Sequence, residues 1–551
     1  MRTLKKLGLV TALAKWRLTW NRIDTSVNFT VPGNPKFMGP KDAVKKFLGK
    51  SGLVVATSGL AANGSAGLIY RAIAELYREK EIPGGLTFMA SGGIGGRGRV
   101  PGTLDEVGIE GLCTRFITGH IETFKAIQRL ADAGKLELQC LPQGILNLLW
   151  GELAEDRNWF DTETGLGTFL DISAGGRGTP VVGDWPQFVE KVGSKLRYMA
   201  PKIDVAVFNA PAADEEGNIY ADGAAILAES EMITKAAKQN HGFVIVNVGK
   251  IVPHDPGKIF IHAKDVDAVV FGPKTKQTLC FPYAKGGLEC LTTTSTVTAK
   301  EGMEQVKFIN RKLGITPKRT PVDFALARLA ALIFVHNTKP GCYLDIGVGL
   351  PEVAGEILGE TGITGLINIM VESGVMGGRP APGVFFGAAV NPTHMVSSTE
   401  AFRLIYEKLD AVILGALQVG WNGDINVSKR GKGAINYVGP GGAIDLMEKA
   451  QLIIICTSWA AESKIQIVNG KVVVDEFKKP KFVRQVDEVT YSAQRALDLG
   501  KKVFYVTPLG AFQLVPEGLR LCAIMPDAAK NYRIIKDTIP GISTDLRVLG
   551  Y

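Results

Sequence analysis

Glu372 ends the apolar run "GLINIMV" and opens "ESGVMGGRPAPGVFF", so a single carboxylate leaves a strand-like segment directly before a glycine-rich, proline-punctuated turn. A carboxylate is a poor nucleophile in water and gains reactivity when a reacting group is held against it. The glycines that follow let backbone and ligand approach it closely. Three more glycine-rich turns follow strand-like runs: "LPQGIL" (141–146), "DIGVGLPEVAGEIL" (345–358) and "GPGGAIDL" (439–446). In open α/β sheets, ligands bind outside the carboxyl ends of strands, so these turns are where chemistry is expected. "SGGIGGRGR" (91–99) is glycine-rich and basic and lacks dinucleotide spacing. It reads either as a backbone cradle for a phosphate or as an ordinary turn. Gly-x-Ser-x-Gly, the P-loop lysine motif and His-Glu-x-x-His do not occur.

Secondary-structure elements must bring these turns together. The β-rich runs "GLVVATSG", "IDVAVFNA", "GFVIVNVG", "DAVVFG", "GLINIMVE", "DAVILGAL", "LIIICTS" and "KVFYVT" alternate with helical patterns such as "GLIYRAIAELYREKE". That alternation predicts parallel sheets covered by helices. The chain also repeats itself. "IDVAVFNAPAADEEGNIY" from Ile203 aligns without a gap on "LDAVILGALQVGWNGDIN" from Leu409, keeping an Asp before the strand and Gly-x-Ile after the turn. The spacing suits a duplicated domain, not a solenoid. Between the copies, "KFINRKLGITPKRTPVDFALARLAALIFV" passes from a basic Gly/Pro stretch into a fresh amphipathic helix. We therefore expect a boundary near residue 315, with a basic segment at 1–30, one domain at 31–315 and a second at 316–551. The expected fold class is α/β, two tandem duplicated open parallel-sheet domains with flanking helices.

Composition sets outer limits. A chain of 551 residues with 46% hydrophobic content has ample apolar material for two or more cores. Its net charge of +9 suits an anionic small molecule, but Lys and Arg are interspersed with acids, so no nucleic acid partner is expected. The seven cysteines are scattered without Cys-x-x-Cys or Cys/His ligand spacing, and the six histidines are dispersed. This predicts a reducing compartment and no metal site. No apolar stretch reaches the about 18 residues of a membrane span. The opening "MRTLKKLGLVTALAKWRLTW" is basic and weakly amphipathic, interrupted by Lys15 and Arg17. It reads as the N-terminal helix of a cytoplasmic protein, with an organellar presequence as the alternative.

Taken in order, the turns resemble the family I coenzyme A transferases. "DIGVGLPEVA" is similar to that family's Leu-Gly-Ile-Gly-x-Pro segment, and "VESGVMGGRPAPGVFFGAAVN" resembles the segment with its catalytic glutamate in Glu-Ser-Gly or Glu-Asn-Gly. "LDAVILGALQVGWNGDINVSK" and "GPGGAIDLMEKAQLIII" continue the match, as do "TRFITGHIETFKAIQRLADAGKLELQCLPQGIL" and "GLGTFLDISAGG" in the first half. The resemblance spans roughly residues 45 to 530 and is greatest to the propionate and short-chain acyl branch, including acetate and 3-oxoacid enzymes.

The resemblance implies a coenzyme A transferase fold and an acyl-CoA:carboxylate CoA-transferase that works by a ping-pong mechanism through a glutamyl-CoA thioester on Glu372. It places the oxyanion donors on the Gln143 side chain and on the amide of Gly441 or Gly442. Gly347, Gly349, Gly439 and Lys429 are the expected CoA-binding residues, with Arg430 and Lys432 as further basic candidates for the phosphates. CoA enters as a substrate carrier and no permanent cofactor is expected. The partners are acyl-CoA and carboxylic acid substrates, and a homodimer or homotetramer is implied. Asn391 and Gly387 match family positions after the nucleophile. Glu163 in "TETGLGTF" is the rival nucleophile, since Glu-Thr-Gly-Leu-Gly echoes the Glu372 turn. Alternative outcomes on the same site are acyl-CoA hydrolysis or hydrolytic C–C cleavage of a CoA ester. The loops "FRLIYEKLDAVIL" and "RGKGAINYVGPGG" depart from the branch's pattern and leave acyl preference open, while "VFF" (384–386) and Trp421 suggest a partly apolar pocket.

Overall fold

Strands covered on both faces need unbroken apolar side chains, and each half of the chain supplies a set of them. The structure, a computed structural model, describes residues 3–61, 63–95, 100–273, 288–314 and 318–546. The first half runs through α1 (Thr3–Thr19), β1 (Val54–Thr57), β2 (Leu86–Ala90), β3 (Cys113–Thr118), β4 (Glu137–Cys140), α2 (Gln143–Ala154), β5 (Val205–Ala213), β6 (Phe243–Ile251) and β7 (Ala268–Phe271). These seven strands lie parallel in the order β7-β6-β5-β1-β2-β3-β4.

The second half begins with α3 (Pro321–Asn337), whose start is fixed by a capping box between Thr320 and Asp323 and by Pro321 in the first turn. It continues through β8 (Tyr343–Ile346), α4 (Leu350–Glu360), β9 (Asn368–Met370), β10 (Val375–Met376), α5 (Ser398–Lys408), β11 (Ala411–Gly415), α6 (Ala443–Lys449), β12 (Leu452–Cys456), β13 (Lys502–Val506), β14 (Gly510–Val515) and β15 (Gly518–Ile524). The parallel core β9-β8-β11-β12-β13 repeats the order β2-β1-β5-β6-β7 of the first half. The helix Ala299–Leu313 stops at Gly314 in a left-handed cap, and the expected boundary near 315 falls on residues 315–317, outside the described residues.

The duplication extends to single hydrogen bonds. Asp204 Oδ2 accepts from Val54 N at 2.8 Å, and Asp410 Oδ2 accepts from Tyr343 N at 2.8 Å. The same two residues accept through their carbonyls from Phe243 N and Leu452 N, the first residues of β6 and β12. Gly217 and Gly423 both adopt φ +96 in the turns that follow. Each repeat thus uses one aspartate to stitch three strands at their amino ends.

Antiparallel strands join the mainly parallel sheets at their edges. Pro180–Val182 runs antiparallel to β4, and β10, β14 and β15 are antiparallel additions to the second sheet. A separate antiparallel hairpin, Ala460–Val468 with Lys471–Pro480, extends from the second half. The two halves share an apolar cluster in which Leu13, Leu60 and Ile226 meet Val371, Phe385 and Val390. Phe385 is fully buried there, a contribution of about 1.5–3 kcal/mol to holding the halves together. Among the described residues, no helix is long and apolar enough to cross a membrane.

Candidate active site

Sheet register decides where Glu372 points. Asp345 of β8 pairs with Met370, the last residue of β9, and Met370 pairs in turn with Met376 of antiparallel β10. The intervening residues form a tight turn closed by Gly374 N donating to Val371 O at 2.9 Å and Val371 N donating to Val375 O at 3.0 Å. Glu372 and Ser373 occupy its tip. Gly374 has φ +95, and a Cβ there would lie 1.9 Å from Val396 O, so only glycine fits. The Ser373 hydroxyl donates to Gly387 O and ties the turn to the "VFFG" segment.

The carboxyl ends of both sheets converge on one cavity of about 750 Å³. Glu372, Gly347 and Gly349 line it from the second half, and Gln143, at the start of α2, lines it from the first. The turn "GPGG" closes the gap between them. Gly441 N donates to Gly119 O, and Gly441 O accepts from Gln143 N, both at 2.8 Å. One residue on, Gly144 N donates to Asp445 Oδ2 at 2.9 Å, so a carboxylate from α6 caps the first turn of α2. Gly439, Gly441 and Gly442 all line the cavity. The Gly441 amide is engaged, whereas Gly442 N has no hydrogen-bond partner among the described residues.

Burial dominates the electrostatics. Glu372 is 7% exposed, and burial pushes its carboxyl up to about 7. Asp345 is 1% exposed on the neighbouring strand, and burial together with the Glu372 charge holds its carboxyl well above the ordinary range. Asp445 is likewise pushed up to about 7 by burial, against the opposing effect of hydrogen bonds from the Tyr406 hydroxyl and Gly144 N. Arg430 reaches the cavity and pairs across the halves with Glu122 at 2.5 Å. Arg17 and Trp20, at and just beyond the end of α1, also line it, the guanidinium 4.1 Å from the Trp20 ring centroid.

The cavity therefore brings together Glu372, Gln143, Gly347, Gly349, Gly439, Gly441 and Gly442, and leaves out Lys429. Lys429 is held in a tight turn by its own backbone, its N–H donating to Asn426 Oδ1 and its carbonyl accepting from Asn426 Nδ2. Lys432 is exposed and outside the lining. Glu163 is held at 2.6 Å by Arg495, which keeps its carboxyl below the ordinary value, and it too lies outside the cavity. Trp421 does not line the cavity, but Val384 and Phe386 do. Asn391 donates through Nδ2 to Val297 O and Gly387 accepts from Ser373, both backbone-fixing contacts. In "SGGIGGRGR", Gly93 and Gly95 reach the cavity, while residues 96–99 lie outside the described residues. Asp214, Glu216 and His254 have metal-ligand spacing but do not line the cavity, and Asp214 already accepts three backbone amides. Sequence reasoning missed Asp345, Arg17 and Trp20 as cavity residues. Asp345 stood within a quoted motif, yet only strand pairing shows what it faces.

No family model matches the chain. It is 30% identical over 532 residues to caffeate CoA-transferase of Acetobacterium woodii, covering 93% of this chain and 96% of that one. It is 28% identical over 491 residues to acetate CoA-transferase YdiF of Escherichia coli strain K12, covering 87% of each. Among solved structures, the acyl-CoA transferase YdiF apoenzyme of Escherichia coli O157:H7 superposes with a TM-score of 0.78 at 24% identity, over 95% of this chain and 98% of that one. The YdiF thioester complex with CoA gives 0.77 at 23% identity, over 92% and 93%. An ordered set of strand-end turns, a buried glutamate between two duplicated sheets and full-length similarity agree: the chain belongs to the family I coenzyme A transferases and is a CoA-transferase.

Proposed function

We propose that this enzyme moves CoA between short-chain or related carboxylic acids through a covalent glutamyl-CoA thioester on Glu372. The observation that carries the reading is the position of Glu372: a buried carboxylate at a turn tip, inside the cavity that Gln143 and the "GPGG" turn enter from the other side.

The chemistry needs no general base, because every attacking group is an anion. The Glu372 carboxylate attacks the thioester carbonyl of acyl-CoA, the C–S bond breaks, and CoA thiolate leaves a mixed anhydride. The thiolate attacks the glutamyl carbonyl, the anhydride C–O bond breaks, and the original acid departs as carboxylate. An acceptor carboxylate then attacks the glutamyl thioester and the two steps run in reverse. Burial assists by raising the basicity of Glu372 and by excluding water from the anhydride. Each tetrahedral intermediate places negative charge on an oxygen, and losing one donor to it typically costs about 2.7–4 kcal/mol. The Gln143 side chain and the Gly442 amide serve this role; Gly441 N is already engaged with Gly119 O. Gly347 and Gly349, before the N-terminus of α4, give an anionic part of the substrate close access to backbone amides. Val384, Phe386, Leu414 and Leu446 supply apolar surface for the acyl chain.

Exchange between acyl-CoA and labelled carboxylate tests the reading. Glu372→Gln should keep the fold and CoA binding and abolish exchange, and Glu163→Gln should retain most of it. The reverse pattern overturns the assignment. CoA release into water at the rate of transfer, without an acceptor, would favour hydrolysis.

A further inference from the structure

Asp345 is an acid in an apolar row. Its in-register neighbours are Met370 on β9 and Val412 on β11, both in the apolar core, while Leu344 and Ile346 face the opposite core. Side chains two residues apart on a strand share a face. Glu372 lies two residues beyond Met370, at the tip of the turn that follows β9, and its charge acts on Asp345. Both carboxyls line the cavity. The Asp345 side chain makes no hydrogen bond or ion pair among the described residues, and its Oδ2 is buried without a partner. The other charged or titratable side chains on the cavity are His120, Glu122, Arg430 and Arg17. Arg430 is paired with Glu122, and Arg17 is exposed over Trp20. None of them is an ion-pair partner of Asp345 or Glu372 among the described residues.

Two buried carboxyls that feel each other's charge, neither with an ion-pair partner among the described residues, resist ionising together, so the protons leave in two separated steps that belong to the pair. We propose that Asp345 is a positioning residue that retains a proton while Glu372 ionises, so that the pair carries a single negative charge and carries it on the nucleophile. The inference rests on the reading of Glu372 as nucleophile. Asp345 forms no bond to substrate. Its proton keeps a second charge away from the thiolate and oxyanions that the reaction generates, and ionising it at alkaline pH opposes each of them. The direction of the Asp345 shift, caused first by burial and then by Glu372, agrees with this order of ionisation.

The test is the pH dependence of kcat/KM for wild type and Asp345→Asn, with the CoA adduct mapped by peptide mass spectrometry in both. Wild type should rise as Glu372 ionises and fall about tenfold per pH unit once Asp345 ionises. Asp345→Asn should keep the acid limb and the neutral-pH rate and lose the alkaline fall. Superimposable profiles, or one uniform loss at every pH, overturn the proposal. An adduct on Glu372 in both proteins with superimposable profiles rejects the role of Asp345 and leaves the nucleophile standing; no adduct on Glu372 in wild type rejects the nucleophile itself. Should Asp345→Asn not fold, carbon-13 NMR of aspartate-labelled wild type and Glu372→Gln decides. One aspartyl carboxyl should stay protonated above the titration of Asp445 and should titrate at lower pH in Glu372→Gln. An unmoved titration, or no such carboxyl, overturns the proposal.

Discussion

At the scale of the residue, the reactivity of Glu372 follows from a turn that has no freedom to place it elsewhere. Gly374 and the Ser373 contact to Gly387 fix the tip, so the length of the side chain sets the attacking distance. Glu372→Asp withdraws the carboxylate by one methylene and should lower kcat about 10²-fold, the effect of misplacing a reacting group by about 1 Å, with an unchanged circular dichroism spectrum. Glu372 was legible in the sequence because an apolar run ending in a carboxylate before glycines is an unusual juxtaposition. Asp345 was not, since an aspartate beginning "DIGVG" reads equally well as the polar end of a strand. Its proximity to Glu372 is a property of pairing between β8 and β9, which no local pattern encodes.

At the scale of the element, α2 positions the Gln143 donor and is itself held by the opposite half. Asp445 accepts from Gly144 N and from the Tyr406 hydroxyl, while the Gln143 amide N–H donates to Gly441 O. Asp445→Ala leaves the buried Gly144 N unpaired, while Tyr406 keeps Thr164 Oγ1 as acceptor, and we expect a stability loss of about 1–3 kcal/mol by chemical denaturation. It should also lower kcat more than it raises KM for CoA esters, because Gln143 loses its register; an effect on stability alone would dissociate the two roles. The parallel cores were readable because strands covered on both faces are continuous apolar runs. The antiparallel strands were not: Pro180–Val182 and β10 are only two or three residues long, and Gln513 and Arg520 interrupt the apolar runs of β14 and β15. The hairpin Ala460–Val468/Lys471–Pro480 did carry a signal: Asn469 and Gly470 both have positive φ, the Asn-Gly pair that favours a tight hairpin turn. The charged strands on either side of it mask the alternation that a strand reading looks for.

At the scale of the whole molecule, the duplicated sheets present their carboxyl ends to one cleft, and that shared cleft collects buried acids. Glu372 rises on folding from its ordinary 4.5 to about 7, so its contribution to stability is full below 4.5 and is lost as pH rises through about 7. The melting temperature of wild type relative to Glu372→Gln should therefore fall across that window; parallel curves would show that Glu372 is not held in a site hostile to its charge. The cleft also selects among the basic residues. Arg17 and Arg430 reach it and Lys429 and Lys432 do not, so Arg17→Ala should weaken CoA esters most at low salt while leaving an acyl-pantetheine donor nearly unchanged. Neutralising Lys429 and Lys432 should do neither. The repeat made two domains legible, but the end of α1 on the cavity depends on packing of Leu13 against Leu60 and Phe385, remote in sequence. The most direct test of Glu372 as nucleophile is the covalent intermediate. Purified enzyme is incubated with acyl-CoA in the absence of acceptor, quenched in acid, and examined by intact and peptide mass spectrometry. A glutamyl-CoA thioester predicts a gain of one CoA less one water per chain, located on the peptide containing Glu372 and matched by release of the free acid. Undiminished transfer with no adduct, or an adduct on another residue such as Glu163, would contradict it.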